Sequence, residues 1–288
     1  MAVLTNKIDF IMLFTVSNAN PNGDPLDGNR PRTTYSGQGE MSDVCIKRKI
    51  RNRLQDMDEN IFVQSAERST DGINSLSERA SANIKDYKNN DDYANLACEK
   101  WIDVRSFGQV FAFKANTKDK DKGAGVSVGV RGPVTIHQAL SVSPVDVSSI
   151  QITKSVNSEP TDDGKKSSDT MGSKHMVRFG LYVIKGSINV QLAEKTGFSD
   201  EDAEKIKEAL RTLFINDASA ARPDGSMEVV KLYWWKHNNK IGQYSSAKVH
   251  NTIKISLKTG VEFPTSIDDY VIEENDLNGL VPEIIEGI

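Results

Sequence analysis

A chain of 288 residues and 31.8 kDa, 38% apolar and 26% charged, has the composition of an ordinary soluble protein. At that length folding buries about 75% of the unfolded surface, so neither a disulfide nor a metal is needed to hold the fold. The net charge of −4 is unevenly spread, with eight acidic and no basic residues from Glu262 to Ile288. The rest of the chain is mildly basic, and the pI of 5.7 does not exclude a nucleic-acid partner.

The first predicted element is a strand over Lys7 to Val16. Its apolar run Phe10-Ile11-Met12-Leu13-Phe14 is bordered by Asp9 and Thr15. Five residues are too few for a signal peptide, and far fewer than the roughly 20 of a membrane span. The run reads as a buried central strand. It leads through a loop rich in Asn, Pro, Gly and Asp into a helix starting at Asp43. Ile46, Ile50 and Leu54 fall four apart on one stripe of that helix. Lys47 and Arg51 flank one side of the stripe, Lys49 and Arg53 the other. From Arg30 to Arg53 seven basic residues face two acidic ones, a local charge of +5. A basic block on an acidic chain is what a polyanion site looks like, although a basic run by itself is more often a solvated charged face.

The segment from Ile61 to Asn95 is polar, with helices predicted near Leu76 to Tyr87 and Tyr93 to Trp101, and reads as an inserted subdomain. A strand follows over Gly125 to His137, where Val126, Val128 and Val130 alternate with smaller residues. Next come Ile150-Gln151-Ile152-Thr153, the polar stretch NSEPTDDGKKSSDTMGSK (157–174) and Val177-Arg178-Phe179-Gly180. Two strand-like arms around a long flexible tip predict a protruding hairpin. A strand over Met176 to Val190 precedes a helix capped by Ser199 with Asp202 three residues on. Its apolar face is Ala203, Ile206, Leu210, Leu213 and Phe214. Strands over Met227 to Trp235 and Val249 to Leu257 end the set. Trp234 and Trp235 must face opposite sides, one of them into the core; nothing in the sequence supports stacking of the other on a base. Strand, helix, strand, strand, helix, strand is the ferredoxin-like βαββαβ order of RRM domains. The fold class is therefore α+β.

Other site chemistries are poorly represented. Gly123, Gly125 and Gly129 give GxGxxxG and no phosphate-loop Lys follows. His137, His175, His237 and His250 are scattered, and Cys45 and Cys98 stand alone. The two cysteines read as reduced, partly buried helical thiols, as in a cytoplasmic protein. No Ser-His-Asp or Cys-His spacing is evident.

Several blocks carry a resemblance. The run Asn18 to Asp24, then Asp43-Val44-Cys45-Ile46-Lys47-Arg48-Lys49-Ile50-Arg51-Asn52, resembles the backbone subunit of the type I-C CRISPR effector complex, Cascade, of the RAMP superfamily. Asp103-Val104-Arg105-Ser106-Phe107-Gly108, Val130-Arg131-Gly132-Pro133-Val134, Thr170-Met171-Gly172-Ser173-Lys174-His175 and Ser219-Ala220-Ala221-Arg222 follow in the same order. The resemblance implies an RRM-like palm (1–60, 101–140 and 176–288), an inserted helical subdomain (61–100) and a thumb hairpin (141–175). It implies a protein that coats a CRISPR RNA in head-to-tail copies, with other Cascade subunits, and presents it to target DNA. No enzyme activity, cofactor, metal or membrane is implied.

The RNA-binding residues expected on this basis are Asn20, Arg30, Lys47, Lys49, Arg51, Arg131, Lys154, Met171, Lys174, His175 and Arg222. Lys and Arg hold phosphates without reading sequence, as suits a protein that must accept any guide. Arg48 and Arg53 could equally be solvated or paired with Asp43, Asp56 or Asp58. Gly132 permits close backbone approach beside Arg131, which either faces RNA or pairs in the core with Asp103 or Glu99. Arg105 reads as an ion-pairing residue. Met171 is placed to wedge between bases or to pack on a neighbouring copy; Arg222 touches RNA or an adjacent copy. The competing function is metal-dependent RNA cleavage by Asp24 and Asp27, as in related type III backbone subunits. Turn formation among Pro21, Gly23, Pro25 and Gly28 also accounts for both aspartates.

Overall fold

The computed structural model describes residues 2–113, 125–153, 155–156 and 171–288. β1 (Ile8–Ala19) leaves the sheet into two short strands, β2 (Gly23–Asp24) and β3 (Arg30–Pro31), then β4 (Gln38–Met41). Helices α1 (Asp43–Asp56), α2 (Leu76–Asn83), α3 (Asn90–Lys100) and α4 (Ile102–Phe107) follow. Next are β5 (Gly108–Phe113), β6 (Val126–Arg131), β7 (Val134–Ile136), β8 (Ala139–Pro144), β9 (Val147–Thr153) and β10 (Met171–Ile188). The chain ends with α5 (Val190–Thr196), α6 (Asp200–Arg211), β11 (Met227–Lys236), α7 (Ser246–His250), β12 (Ile253–Leu257), β13 (Tyr270–Glu274) and β14 (Glu283–Glu286). None of the described helices is long and apolar enough to cross a membrane.

The main sheet is antiparallel, in the order β14-β11-β1-β10-β8-β4, with β7 and β9 also paired to β10. β1 is central because it is apolar on both faces. Ile8, Phe10, Met12, Phe14 and Val16 point to one core, Ile11 and Leu13 to another. The first core lies under α1 and α6. Ser42 caps α1 by accepting from Cys45 N–H, and Ile46, Ile50 and Leu54 are fully buried. In α6 the Ser199–Asp202 capping box satisfies two N-terminal donors while Ala203, Ile206 and Leu210 pack on the sheet. Each such side chain contributes about 1.5–3 kcal/mol when buried.

The other face of the sheet is covered too. Leu181, Tyr233 and Trp235 lie beneath Val249, Ile253, Tyr270 and Leu280. The acidic C-terminal segment is thus part of the fold: β13 pairs with β12, and β14 extends the sheet beside β11. A third core gathers Phe62, Ala80, Tyr93, Trp101, Val104 and Phe111 between α2, α3, α4 and the β5–β6 ribbon.

Two expected strands and one expected residue placement differ in substance. The strand over Gly125 to His137 is two strands in two sheets: β6 pairs with β5, β7 with β10. The break is at Gly132-Pro133, where a Cβ on Gly132 would meet Ser106 O at 2.3 Å and Pro133 has no N–H to donate. The strand expected from Val249 begins at Ile253, because Ser245 caps a short helix first. Trp234 and Trp235 are both core residues, 2% and 1% exposed, so neither is free to stack on a base.

Candidate nucleic-acid interface

The basic helix is mostly bound up internally. Lys49 is only 4% exposed and bonds Asp217 from the segment after α6. Burial pushes its ammonium pKa down against the pull of Asp217. Arg51 donates from Nε to buried Asp103 at 3.0 Å and lies over the Phe107 ring at 5.0 Å. Arg48 donates to Val63 O (2.6 Å), and Arg53 to Thr212 Oγ1 (2.7 Å). Lys47, half-buried, pairs with Asp43 one turn earlier at 3.0 Å. The expectation of Lys49 and Arg51 as open cations is therefore corrected. Lys49 and Arg51 each face an aspartate from a neighbouring element, and a buried charge must be paired.

Residues from distant motifs do converge at the end of β1. Asn18 takes a left-handed conformation (φ 51°), turning the chain so that Asn20 N–H donates to Ala221 O at 2.9 Å. Asn20 Nδ2 donates to Asn29 O at 2.6 Å, while its buried Oδ1 has no partner among the described residues. The Ser219–Arg222 turn closes through reciprocal backbone bonds, Ser219 N–H to Arg222 O and Arg222 N–H to Ser219 O. Arg222 then donates from Nε to Asp217 at 3.1 Å, the same carboxylate that holds Lys49. Asn20 is thus tied through Ala221 to the turn that carries Arg222, while Lys49 and Arg222 meet at Asp217, which no motif singled out. Its only sequence signal was an acid five residues before the expected Arg.

A second group lies at the base of the β9–β10 hairpin, whose arms pair from Val147↔Val177 to Thr153↔Met171. Ser149 Oγ is 2.9 Å from Arg30 Nη1 and 2.9 Å from His175 Nδ1. Lys174 is half-buried opposite Ile150, and Met171 is exposed with Gln151 Nε2 3.2 Å from its sulfur. Lys154 lies outside the described residues. Arg131 is exposed on β6, in neither group and without an ion pair to a described residue. Asp103, its expected core partner, is taken by Arg51. Arg105 forms the internal pair expected of it, bidentate with buried Asp202 at 3.0 and 2.7 Å.

Asp24 serves the turn. Its Oδ1 accepts from Leu26 N–H (3.1 Å) and Arg32 (3.3 Å), and its carbonyl accepts from Asp27 and Asn29 N–H. Among the described residues no three His, Cys, Asp or Glu side chains gather where an ion could be held. Cys45 and Cys98 are free; burial pushes the Cys98 thiol up to about 11.

Comparison with known proteins decides the family. Residues 6–275 match the model of CRISPR-associated protein Cas7. The chain belongs to the Cas7 family. A Cas7 relative, the CRISPR-associated protein Cas7 of Haloferax volcanii, is 25% identical over 211 residues. That match covers 70% of this chain and 62% of the relative, so the chain spans less than two thirds of its length. A chain of a solved CRISPR RNA-guided surveillance complex, pre-nicking, aligns at 16% identity with a TM-score of 0.49, covering 85% of this chain and 84% of that one. A chain of a second CRISPR RNA-guided surveillance complex aligns at 18% and 0.45, covering 80% and 68%. Within the Cas7 match fall both groups of polar side chains described above.

Proposed function

We propose that this chain is the guide-RNA-binding backbone subunit of a type I-C Cascade complex, working in the cytoplasm. Copies stack head-to-tail along a CRISPR RNA through a heterologous contact that generates an open arc. Together with other Cascade subunits they hold the RNA by its backbone and present it to target DNA, base pairing alone reading the sequence. The chain is a scaffold rather than an enzyme. The observation that carries this reading is the Cas7 match over residues 6–275.

The geometry supports it in three ways. The strand order β11-β1-β10-β8, with α1 and α6 on one face, has the arrangement expected of a βαββαβ palm. On this reading residues 1–60, 101–140 and 176–288 form the palm, 61–100 the helical insertion and 141–175 the thumb, although Ser141–Pro144 of β8 pair within the main sheet and the β5–β6 ribbon packs with the insertion. Because the outer sheet face is buried under the C-terminal layer, RNA is held at the sheet's ends. There the β1 terminus brings Asn20 beside Arg222, and the hairpin base brings Arg30 beside His175. Lys47, Arg131, Lys154, Met171 and Lys174 complete the RNA-binding set, with Lys49 and Arg51 acting from within.

Purification from the native host tests the reading. The expected outcome is a high 260/280 nm absorbance ratio from co-purified RNA that sequencing traces to CRISPR arrays. Protein that is RNA-free, and that fails to bind guide RNA when it is added, would overturn the proposal. In Mg²⁺ the protein should leave complementary RNA uncut. Cleavage that vanishes in Asp24→Ala or Asp27→Ala would replace the scaffold by a metal-dependent ribonuclease.

A further inference from the structure

We infer that Asp217 is a positioning residue that aims Arg222 at an RNA phosphate, with Lys49 as its buried counter-charge rather than a phosphate ligand. The inference rests on the RNA-binding reading above. Lys49 and Arg222 bond the same oxygen of Asp217, Oδ2, from opposite ends of the accessibility range. The Lys49 side chain is 4% exposed, that of Asp217 16%, and that of Arg222 28%.

The consequences follow from guanidinium geometry. Arg222 gives only Nε to Asp217, and its terminal amino groups bond no other described residue. A guanidinium fixed through Nε still offers its terminal donors to a phosphate. The backbone beneath is fixed too, since the Ser219–Arg222 turn is closed on itself and hydrogen-bonded to Asn20. Asp217 alone would cancel the charge of Arg222. Lys49 restores the balance, so the triad carries +1, and that charge emerges at Arg222, the most exposed of the three. Lys49 has no such donor path: its ammonium is enclosed between Asp217 and the Phe214 ring, 5.8 Å from the ring centroid.

The sign of one substitution separates this from simple charge counting. Asp217→Asn removes a negative charge, so unaided electrostatics predicts tighter binding to a polyanion. Positioning predicts weaker binding instead. The test titrates unrelated single-stranded RNAs against the full chain over a range of KCl, with melting curves confirming that each variant is folded. Arg222→Ala should weaken binding about tenfold, one charge-assisted contact, and flatten the log–log salt slope by about 0.7. Arg222→Lys, which keeps the charge but lacks the fork, should not restore it. Asp217→Asn should weaken binding in the parent but change nothing further in the Arg222→Ala background.

Lys49→Met should likewise leave the salt slope unchanged once Arg222 is absent. If it does not fold, the Asp217 and Arg222 variants decide alone. Tighter binding by Asp217→Asn, or an unchanged slope in Arg222→Ala while the wild type binds RNA, would overturn the relay alone. A wild type that binds no RNA would overturn the relay and the functional reading together.

Discussion

Arg51 and Asp103 illustrate how a basic residue in a basic block can belong to the core. Asp103 is fully buried and also accepts from the N–H groups of Phe62 and Val63, so it ties α1 to the helical insertion. Arg51→Ala leaves that carboxylate without its cation and should cost about 3 kcal/mol of stability by urea denaturation. An unchanged midpoint would mean that water replaces the guanidinium. His250 gives a pH test. Burial pushes its imidazole below the usual histidine range, against the pull of its bond to Gly186 O. The unfolded chain then takes up a proton first, so stability is complete above about pH 6.5 and lost as pH falls toward the lowered value. The urea midpoint should drop between pH 7 and 5.5, and His250→Gln should flatten that drop. A parallel decline in both proteins would assign it elsewhere. Burial alone would raise Asp9 and Asp202, but hydrogen bonds from His237 and Arg105 hold both below the usual carboxylate range. Their contribution is present above about pH 4 and lost in stronger acid.

At the scale of elements, the β9–β10 hairpin is separable from the core by exposure. Ile150, Ile152 and Met171 stand 48%, 49% and 64% exposed, so they contribute little to burial. Joining Ile150 directly to Lys174, which are register partners, through an Asn-Gly turn shortens the hairpin without disturbing Ser149 or His175. The trimmed chain should melt within a few degrees of the wild type yet fail to form ordered arrays on RNA, seen by mass measurement. Full-length arrays from it would remove the thumb from the assembly. Sequence reading found these arms because apolar Ile150 and Ile152 flank a polar tip. It found α1 from its stripe Ile46, Ile50 and Leu54, and α6 from the Ser199 cap and an apolar face of helical spacing. It misjudged the strands around Gly132 and Val249, because alternation states that a strand exists but not which sheet it joins. It likewise missed Asp217, whose partners lie on α1 and in a turn. Charge pairing between distant segments leaves no local pattern, which is also why Lys49 and Arg51 looked open.

For the whole molecule, the acidic C-terminal segment is the part composition described least well. Read as charge it resembles a solvated tail. In the fold, Tyr270 and Leu280 close the outer face of the sheet, and Glu283 reaches Lys207 on α6 at 2.8 Å. Ending the chain at Gly260 would remove Tyr270 and Leu280 from the core that holds Ile11, Leu13, Tyr233 and Trp235, exposing apolar surface that favours association. The truncated protein should aggregate or bind a hydrophobic dye. A soluble monomer with the parent melting temperature would contradict the layer's role.

β10 has a mechanical consequence. It is one uninterrupted 18-residue strand, about 60 Å long at ~3.4 Å per residue, running from the hairpin into the centre of the sheet. From Val177 to Ile188 it is laced to β1 along almost the whole of β1. The arm and the core are therefore a single beam. A tug along the hairpin loads the β1–β10 hydrogen bonds in parallel, as shear, rather than peeling them one at a time. Any partner that grips the hairpin pulls directly on β1, the buried strand at the centre of the sheet.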